Sequence, residues 1–346
     1  SDPLHLLPAT TPGDNERITG HVTGHNFWAL DGIQNAALLA HASGHAEQAA
    51  QYQQDYDSYR SVLMKILDRV TRGTGGYIPP GLDGQQGQDW GNMISVYPDE
   101  VLSPNNPIVT ATLDATRAKY AEGIMTYSYH NGHFLHDYLG FSNMETELIL
   151  GDEQLAVWDL YAELVHTSST QAGFETNIIP WGDRDFHYNL TPHGWFAARY
   201  RIALRNMFIR EQGNDLHLLS AISPEWIQPG REMLVDHAPT NFGMVEISLR
   251  VQTPSQAELT LHDHFVDPPA HIVLHLPWFM ETSKVVADGV SIPISGNSVL
   301  LPPKVRTVRI EWRKRSSAPG LSYQEAVAQY KKEYAAHYKQ FLRTGN

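Results

Sequence analysis

Apolar side chains at spacings of three and four predict that the chain is helical from about residue 26 to residue 210. The clearest run contains the following positions: Ala49, Tyr52, Tyr56, Tyr59, Leu63, Ile66 and Val70. This spacing places them on one face of a helix, so we expect that face to be buried. A helix over about residues 27–42 precedes this one, and Gly44 marks the break between the two.

Similar spacing predicts further helices, which cover residues 108–121, 133–150, 153–167 and 194–211. Asn106 and Pro107 provide the first of these with a capping side chain and a first-turn proline. The connections are rich in glycine and proline, and the longest begins at Thr71: TRGTGGYIPPGLDGQQGQDWGN. Long connections of this kind commonly carry binding and catalytic residues.

Beyond residue 213 the apolar positions alternate instead, as in Val245, Ile247, Leu249 and Val251. Alternation with period two predicts strands, and we expect an antiparallel β-sandwich over about residues 215–313. His262 and His264 alternate on one of these strands and are predicted to lie on the surface. A final helix has one face formed by Tyr323, Val327, Tyr330, Tyr334 and Phe341.

These patterns predict an α+β multidomain protein with four segments. The segments are a lead-in (residues 1–25), a helical portion (26–212), a β-sandwich (213–315) and a C-terminal helix (316–346). The lead-in starts at Ser1 with a polar stretch rich in proline and glycine, and it contains no recognisable signal peptide. We therefore expect a processed or dissected part of a larger protein, with a secreted or periplasmic location slightly favoured over the cytoplasm.

The composition excludes several classes of partner and chemistry. A chain of 346 residues is long enough for two domains, and its formal net charge of −13 disfavours nucleic acid and anionic membranes as partners. No run of about 18 apolar residues is present, so we expect no membrane-spanning helix. The absence of cysteine excludes disulfides, thiolate nucleophiles and cysteine-ligated zinc.

The segment from Gly173 to Trp195, GFETNIIPWGDRDFHYNLTPHGW, combines charged and aromatic side chains. Its charged and titratable residues are Glu175, Asp183, Arg184, Asp185, His187 and His193. Aromatic rings such as those of Trp181 and Trp195 pack on the apolar faces of sugars, while acids bind hydroxyl groups or transfer protons. The segment therefore predicts a carbohydrate site, and the alternative is a structural ion-pair network.

Hydrolysis of a glycoside requires two carboxyl groups, one as the acid and one as the base or nucleophile. Asp83 and Asp89 lie in the long loop, and the alternative for Asp89 is a solvated residue that caps the next helix. Glu145 and Glu147 point about 200° apart on a helix. At most one of these two glutamates is therefore expected to face a cavity, while the other is solvated or salt-bridged.

We predict Asp89 and Glu175 as the catalytic pair. Arg184 can pair with Asp183 or Asp185 and clamp the loop, which leaves Glu175 as the better group for proton transfer. The predicted substrate-binding residues are His25, Trp28, Asp31, Trp90, Tyr127, His133, Glu145, Trp181, Arg184, Asp185, His193 and Trp195.

Two histidine groups have alternative interpretations. His130, His133 and His136 suggest a metal site because residues three apart on a helix share a face. No acidic partner follows at a metal-motif spacing, so we predict that they line a polar cavity or cap a helix, with no metal and no cofactor. His21 and His25 either contact a sugar or pack at the start of a helix.

Four stretches of sequence resemble one family of carbohydrate-active enzymes. They are TPHGWFAARY, LHLLSAISPEWIQPG, APTNFGMVEISL and PPAHIVLHLPW. They resemble the last barrel helix, the exit from the barrel and the sandwich strands of (α/α)6-toroid glycoside hydrolases of the α-L-rhamnosidase-like group. The resemblance covers about residues 20–313. It implies an (α/α)-barrel portion followed by the sandwich, and an inverting reaction with a water-wide gap between the two carboxyl groups.

The sequence predicts fewer helices before the strands than a complete toroid contains. We expect an upstream segment or a partner chain to supply the missing helices, or else a reduced barrel. The family's acid-bearing motif is not found intact, so no general acid is assigned from the resemblance.

The first predicted function is a glycoside hydrolase that acts on an oligo- or polysaccharide. One alternative is a polysaccharide lyase with a base near Tyr127, His130, His133 or Tyr138 and with Arg184 neutralising a uronate. The other alternative is a non-catalytic subunit or fragment of a larger glycan-binding assembly.

Overall fold

The structure is a computed structural model that describes residues 4–10, 20–84, 88–129, 132–175, 177–178, 190–316 and 320–344. Residues 127–129, 132–133 and 177–178 are described by their backbone alone. The chain divides into two compact units. The first unit comprises Ser1–Thr146 and Asn177–Ile179, and the second comprises Glu147–Thr176 and Pro180–Asn346. This division falls at different residues from the four predicted segments.

The first unit contains helices and one small antiparallel sheet. Its helices are α1 (Thr23–Ala42), α2 (Ala46–Gly73), α3 (Pro107–Arg117) and the first part of α4 (Phe141–Leu150). Its strands are β1 (Tyr120–Ala121), β2 (Ile124–Tyr129), β3 (Gly132–His136) and β4 (Asn177–Ile178), which pair in that order.

Helices α1 and α2 pack against each other and begin close to where the apolar spacing predicts. Leu63 and Ile66 of α2 are buried, and Phe27 of α1 is completely inaccessible to solvent. The Tyr59 hydroxyl donates a 2.6 Å hydrogen bond to Oδ1 of the buried Asn26, which fixes the spacing of the two helices. The predicted face of α2 is therefore confirmed as buried at Leu63 and Ile66, whereas Tyr52, Tyr56 and Tyr59 are half-buried.

The helix predicted over residues 133–150 is wrong in its first part. Residues 132–136 form β3, which pairs with β2 so that Thr126 lies opposite Leu135, and α4 begins only at Phe141. Tyrosine, threonine and phenylalanine favour strands. The pairing of β2 with β3 depends on the alternation of side chains along each strand, and the three-residue spacing of the histidines plays no part in it.

Two other predicted helices end early, also because of strand pairing. Helix α3 ends at Arg117, and Tyr120–Ala121 pairs with β2 instead. Helix α6 (Gly194–Phe208) of the second unit ends before β5 (Ile209–Gln212), which pairs with the next strand.

The second unit contains α5 (Glu153–Val165), α6, α7 (Tyr323–Thr344) and two sheets. Its remaining strands are β6 (Asp215–Leu218), β7 (Glu232–Thr240), β8 (Gly243–Thr253), β9 (Gln256–Phe265), β10 (His271–His275), β11 (Met280–Ala287), β12 (Val290–Ile292), β13 (Ser298–Leu301) and β14 (Thr307–Lys314). The strand orders are β13-β10-β6-β5 and β12-β11-β14-β9-β8-β7.

The two sheets form a sandwich because their inward-facing residues share one apolar core. Leu216 and Ile272 of the smaller sheet belong to the same buried cluster as Val245 and Ile247 of the larger one. The predicted sandwich is antiparallel except at one pairing, since β6 and β10 run parallel. Between these two strands the chain forms β7, β8 and β9 in the other sheet, and such a crossover allows a parallel return.

The C-terminal helix packs on α5. Tyr330 is buried, and its ring lies 5.9 Å from the rings of both Trp158 and His166. The predicted α+β class with a C-terminal helix is therefore confirmed, whereas the (α/α)-barrel stays a prediction. Within the described parts of the chain, none of the helices combines the length and apolar character that a bilayer crossing requires.

Candidate functional site

Three of the predicted substrate-binding rings lie together in the first unit. The ring centroids of Trp28 and Trp90 are 5.0 Å apart, and the His25 ring lies 6.3 Å from Trp28 and 5.8 Å from Trp90. Trp28 is 39% exposed, so one of these rings presents apolar surface to solvent. We refer to His25, Trp28 and Trp90 as the aromatic group.

Two glycines allow the aromatic group to form. A Cβ atom on Gly24 of α1 would lie 2.6 Å from Cα of Gly91, and one on Gly91 would lie 2.5 Å from Cα of Gly24. Backbone meets backbone at this crossing, so neither position accepts a side chain without displacement of the loop or the helix. The close approach places Trp90 directly against the first turn of α1 that carries His25.

Asp89, the predicted catalytic residue next to Trp90, is held by three donors. Its carboxylate accepts hydrogen bonds from the Tyr77 hydroxyl, the Lys119 ammonium group and Nδ2 of Asn92, the last at 2.7 Å. Burial, together with the Asp89 charge, raises the pKa of Tyr77, so its phenol stays protonated and donates. Asp89 is only 8% exposed, and the alternative of a solvated loop residue is therefore wrong.

Asp31 lies one helical turn beyond Trp28 on α1, where residues three apart share a face. Partial burial raises the pKa of its carboxyl, although a 2.9 Å hydrogen bond from Asn35 acts in the opposite direction. Asp31 is thus a half-exposed acid beside exposed aromatic surface, an arrangement that suits a contact with a sugar hydroxyl.

His21 and Asp83 connect the start of α1 to the long loop. The backbone nitrogen and Nδ1 of His21 lie 3.1 and 3.0 Å from Oδ2 of Asp83. Partial burial raises the pKa of Asp83, but these hydrogen bonds outweigh it and the net pKa is lowered. His21 is itself buried, so of the two interpretations for this histidine, helix-start packing is the one that the contacts support.

A second group of predicted residues lies in the second unit, where the segment from Gly173 to Trp195 begins and ends. The Glu175 nitrogen donates to the Leu190 carbonyl at 2.9 Å, and the His193 nitrogen donates to the Gly173 carbonyl at 3.1 Å. A Cβ atom on Gly173 would lie 1.9 Å from Cγ of Phe196, so only glycine fits there. The two ends of the segment are therefore held together as a closed neck.

Glu175 and His193 interact electrostatically at this neck. Burial lowers the pKa of His193, and the negative charge of Glu175 partly opposes that shift. Both side chains are half-buried, and Trp195 is 54% exposed at the start of α6. The neck therefore combines an acid, an imidazole and an exposed indole ring.

For several predicted site residues the structure describes no side chain. Trp181, Arg184 and Asp185 lie outside the described residues, as does His130. Tyr127 and His133 are described by backbone alone and belong to the paired strands β2 and β3. The third histidine of that motif, His136, is buried and meets the Tyr138 ring edge-on at 4.6 Å.

Glu145 and Glu147 are both buried, at 2% and 0% exposure. Solvation of the second glutamate is therefore wrong, and a salt bridge, the other alternative for it, stays a prediction. Residues two apart on a helix do point away from each other, but α4 is enclosed on both of those sides.

Asp89 belongs to the first unit and Glu175 to the second. Each is described within its own unit, and their pairing stays a prediction. The residues that bind Asp89, namely Tyr77, Asn92 and Lys119, were missed by sequence reasoning. Tyr77 and Asn92 occur in the same long loop, which was a usable signal, whereas Lys119 follows α3 and has no motif relation to Asp89.

A further buried acid, Glu153, was also missed. It is the first residue of α5, and it accepts hydrogen bonds from Nδ2 of Asn297 at 2.6 Å and from the Trp278 backbone nitrogen at 3.4 Å. Burial raises the pKa of Glu153 to about 8 despite these two bonds. In sequence it appears as an ordinary first-turn acid of a helix.

The second unit also has a cavity of about 400 Å³ lined by Tyr161, Glu225, Trp226, Gln228 and Arg231. The Tyr161 hydroxyl donates to Oγ of Ser223 at 2.6 Å and lies 3.3 Å from Oε2 of Glu225. Burial raises the pKa of Tyr161 to about 12. Glu225 also accepts the Tyr323 backbone N–H at 3.1 Å, so it ties the start of α7 to this wall.

Comparisons with known proteins give one kind of match. No protein-family model matches the chain, and no curated protein matches it. Among solved structures, the chain is similar to an α-L-rhamnosidase from Dictyoglumus thermophilum, with a TM-score of 0.49 and 12% sequence identity. That alignment covers 84% of this chain and 32% of the other, so the chain spans about a third of the length of that enzyme.

Proposed function

We propose that this protein acts on a carbohydrate and cleaves a glycosidic bond with two carboxyl groups and no cofactor. The observation that carries the proposal is the aromatic group beside Asp89 and Asp31 in the first unit. Indole rings with exposed faces pack against the C–H faces of sugars, and neighbouring carboxylates accept hydrogen bonds from hydroxyl groups.

The surroundings of the two candidate acids suggest different roles. An ammonium group and two neutral donors surround Asp89, an arrangement that suits the base, which must be a carboxylate to activate water. Glu175 interacts with the His193 imidazole, and burial disfavours the charged form of that imidazole. His193 therefore does not place a permanent positive charge beside the Glu175 carboxyl group. We therefore assign the proton-donating role to Glu175. Inversion at the anomeric carbon is part of the same proposal.

The role of the remaining predicted residues follows from their exposure. Trp28 and Trp195 present indole surface, and each would bind a sugar ring in its own unit. Asp31 would accept a hydrogen bond from a hydroxyl group of a sugar packed on Trp28. The substrate class is an oligo- or polysaccharide, and an upstream segment or a partner chain belongs to the proposal as the source of further helices.

The test is hydrolysis of a panel of aryl glycosides and oligosaccharides by the full chain, with detection of new reducing ends. Glu175→Gln should lower the rate by about 10²–10⁴-fold, the usual contribution of a general acid, while oligosaccharide binding persists. Glu47→Gln, the same change at an exposed position on α2, should leave the rate unchanged.

Two results would contradict the proposal. Full activity in Glu175→Gln would remove the assigned acid. An unsaturated product that absorbs in the ultraviolet, in place of new reducing ends from hydrolysis, would identify a lyase instead.

A further inference from the structure

The outer face of the six-stranded sheet carries a side-chain cluster that the proposed function does not use. In strand β7 the pairing with β8 shifts between Val235, opposite Ile247, and Ala238, opposite Val245. The two intervening residues, Asp236 and His237, therefore oppose the single residue Glu246, which is the arrangement of a β-bulge.

The bulge determines where these side chains point. Val235 and Ala238 both pack with the sandwich core, so a regular strand would leave only one outward residue between them. The extra residue gives two adjacent outward positions, and His237 adopts a φ of 51° to accommodate it. Asp236 and His237 are exposed, with side-chain exposures of 60% and 73%.

The three side chains bring their donor atoms together. Ligand atoms of Asp236, His237 and Glu246 all lie within 4.8 Å of one another, and Nδ1 of His237 contacts Oδ1 of Asp236. On the other side of Glu246, His262 of β9 is its directly opposed partner and therefore shares the same face. One end of the sheet thus presents two imidazoles and two carboxylates in adjacent positions.

We propose that Asp236, His237 and Glu246 form a binding site for a divalent first-row transition-metal ion, with Zn²⁺ as the representative ion. Imidazole nitrogen and carboxylate oxygen are ordinary ligands for such ions. Donors bound to one tetrahedral Zn²⁺ lie about 3.4 Å apart, so exposed side chains now within 4.8 Å need only small rotations. Three protein ligands leave a fourth position for water or for His262.

Electrostatics supports a cation at this place. Two carboxylates that share one face of neighbouring strands repel each other, and a divalent ion between them removes that repulsion. The formal net charge of −13 also favours the approach of cations to the protein. A bound ion would connect the bulge of β7, the edge strand of its sheet, to β8.

The experiment is titration of the purified full chain with ZnCl₂ by calorimetry after treatment with a chelator. His237→Asn removes the imidazole but keeps a residue type that tolerates positive φ, and Glu246→Gln removes one charge at constant shape. We expect each variant to lose one equivalent of Zn²⁺ or to bind it at least about tenfold more weakly.

The chain offers a matched control. His271 and Asp215 form another exposed pair, with Nδ1 and Oδ1 2.8 Å apart, but no third ligand joins them among the described residues. His271→Asn should therefore bind Zn²⁺ like the wild type. Thermal unfolding gives a second measurement, because Zn²⁺ should raise the midpoint of the wild type and of His271→Asn but not that of His237→Asn.

The site is rejected if the wild type shows no saturable binding, or if His237→Asn binds the same number of equivalents with the same affinity. The result does not depend on glycoside hydrolysis, since the cluster lies outside the residues assigned to that reaction.

Discussion

Asp89 in the first unit and Glu153 in the second are carboxylic acids with nearly the same burial, at 8% and 5% exposure. Asp89 meets the ammonium group of Lys119 as well as two neutral donors. Glu153 meets only two neutral donors among the described residues, from Asn297 and from the Trp278 backbone, and burial raises its pKa to about 8. Burial raises the cost of the Glu153 charge, whereas an oppositely charged partner adjoins Asp89.

This contrast separates two uses of a buried acid. Asp89 belongs to an ion pair beside exposed aromatic surface. Glu153 connects the start of α5 to the loops that carry Trp278 and Asn297, and burial rather than these two hydrogen bonds favours its neutral form.

The largest expected effect concerns the pH dependence of stability. The pKa of Glu153 is raised from 4.5 to about 8 on folding, so the folded state retains its proton in a range where the unfolded state loses it. The full stabilisation is present below pH 4.5 and is lost as pH rises through about 8. Between pH 4.5 and about 8 this contribution to the free energy of unfolding should fall by about 1.4 kcal/mol per pH unit, several kcal/mol in all.

Urea unfolding at several values from pH 6.5 to pH 8 measures this slope. Glu153→Gln should remove most of it, whereas Asp89→Asn should keep it. The pKa values of His217 and His275 are lowered from 6.5 to about 3 and about 4, so these two groups make stability rise with pH below about 6.5 and do not interfere above it. An unchanged slope in Glu153→Gln would show that the two acids do not differ in the way we infer.

The second effect tests whether the close contact between Gly24 of α1 and Gly91 of the long loop stabilises the fold around Asp89. Gly24→Ala should destabilise the protein by about 1–3 kcal/mol, because the new Cβ would lie 2.6 Å from backbone at Gly91. Gly32→Ala on the same helix meets nothing within 4 Å and should stabilise it by about 0.5–1 kcal/mol. Thermal or urea unfolding of both variants measures the difference, and equal stability would mean that the loop moves freely away from α1.

A third change tests the ion pair between Lys119 and Asp89. Lys119→Met removes the ammonium group and should cost about 1–2 kcal/mol near neutral pH, a modest value because the Lys119 side chain is 46% exposed. In an Asp89→Asn background the same change should cost less, because the partner charge is already absent. Urea unfolding of the single and double variants compares the two, and an equal cost in both backgrounds would show that the ion pair does not contribute.

The smallest effect concerns ligand binding at the exposed rings. Trp28→Ala should weaken oligosaccharide binding by about 0.5–1.5 kcal/mol, or up to roughly tenfold, because one aromatic platform is lost. Leu38→Ala, at a 61% exposed position on the same helix, serves as the control and should bind normally. Calorimetric titration with the best substrate of the panel would measure both, and unchanged binding in Trp28→Ala would remove the sugar contact from the aromatic group.

Local patterns predicted most of the regular structure. The apolar spacing of α2 and the alternation in β8 are strong because each element buries one face, α2 in its C-terminal half and β8 along most of its length. Residues 120–121 and 133–136 were predicted to be helical but form strands. These strands depend on pairing with β2, and pairing between strands produces a weaker pattern within a single segment than helical spacing does. The parallel pairing of β6 with β10 joins residues 56 positions apart, such as Asp215 and His271, which no local pattern specifies.

The sequence by itself determined which residues are able to perform chemistry: the acid before Trp90, the rings near the start of α1, and the acid and imidazole around the neck at Gly173. Only the tertiary structure decided which of these groups meet and in what electrostatic surroundings. Lys119 reaches Asp89 from a separate element, and Asn297 reaches Glu153 across 144 positions of the chain. The physical reason is that a protonation state depends on burial and on neighbouring charges, which folding brings together from distant parts of the chain.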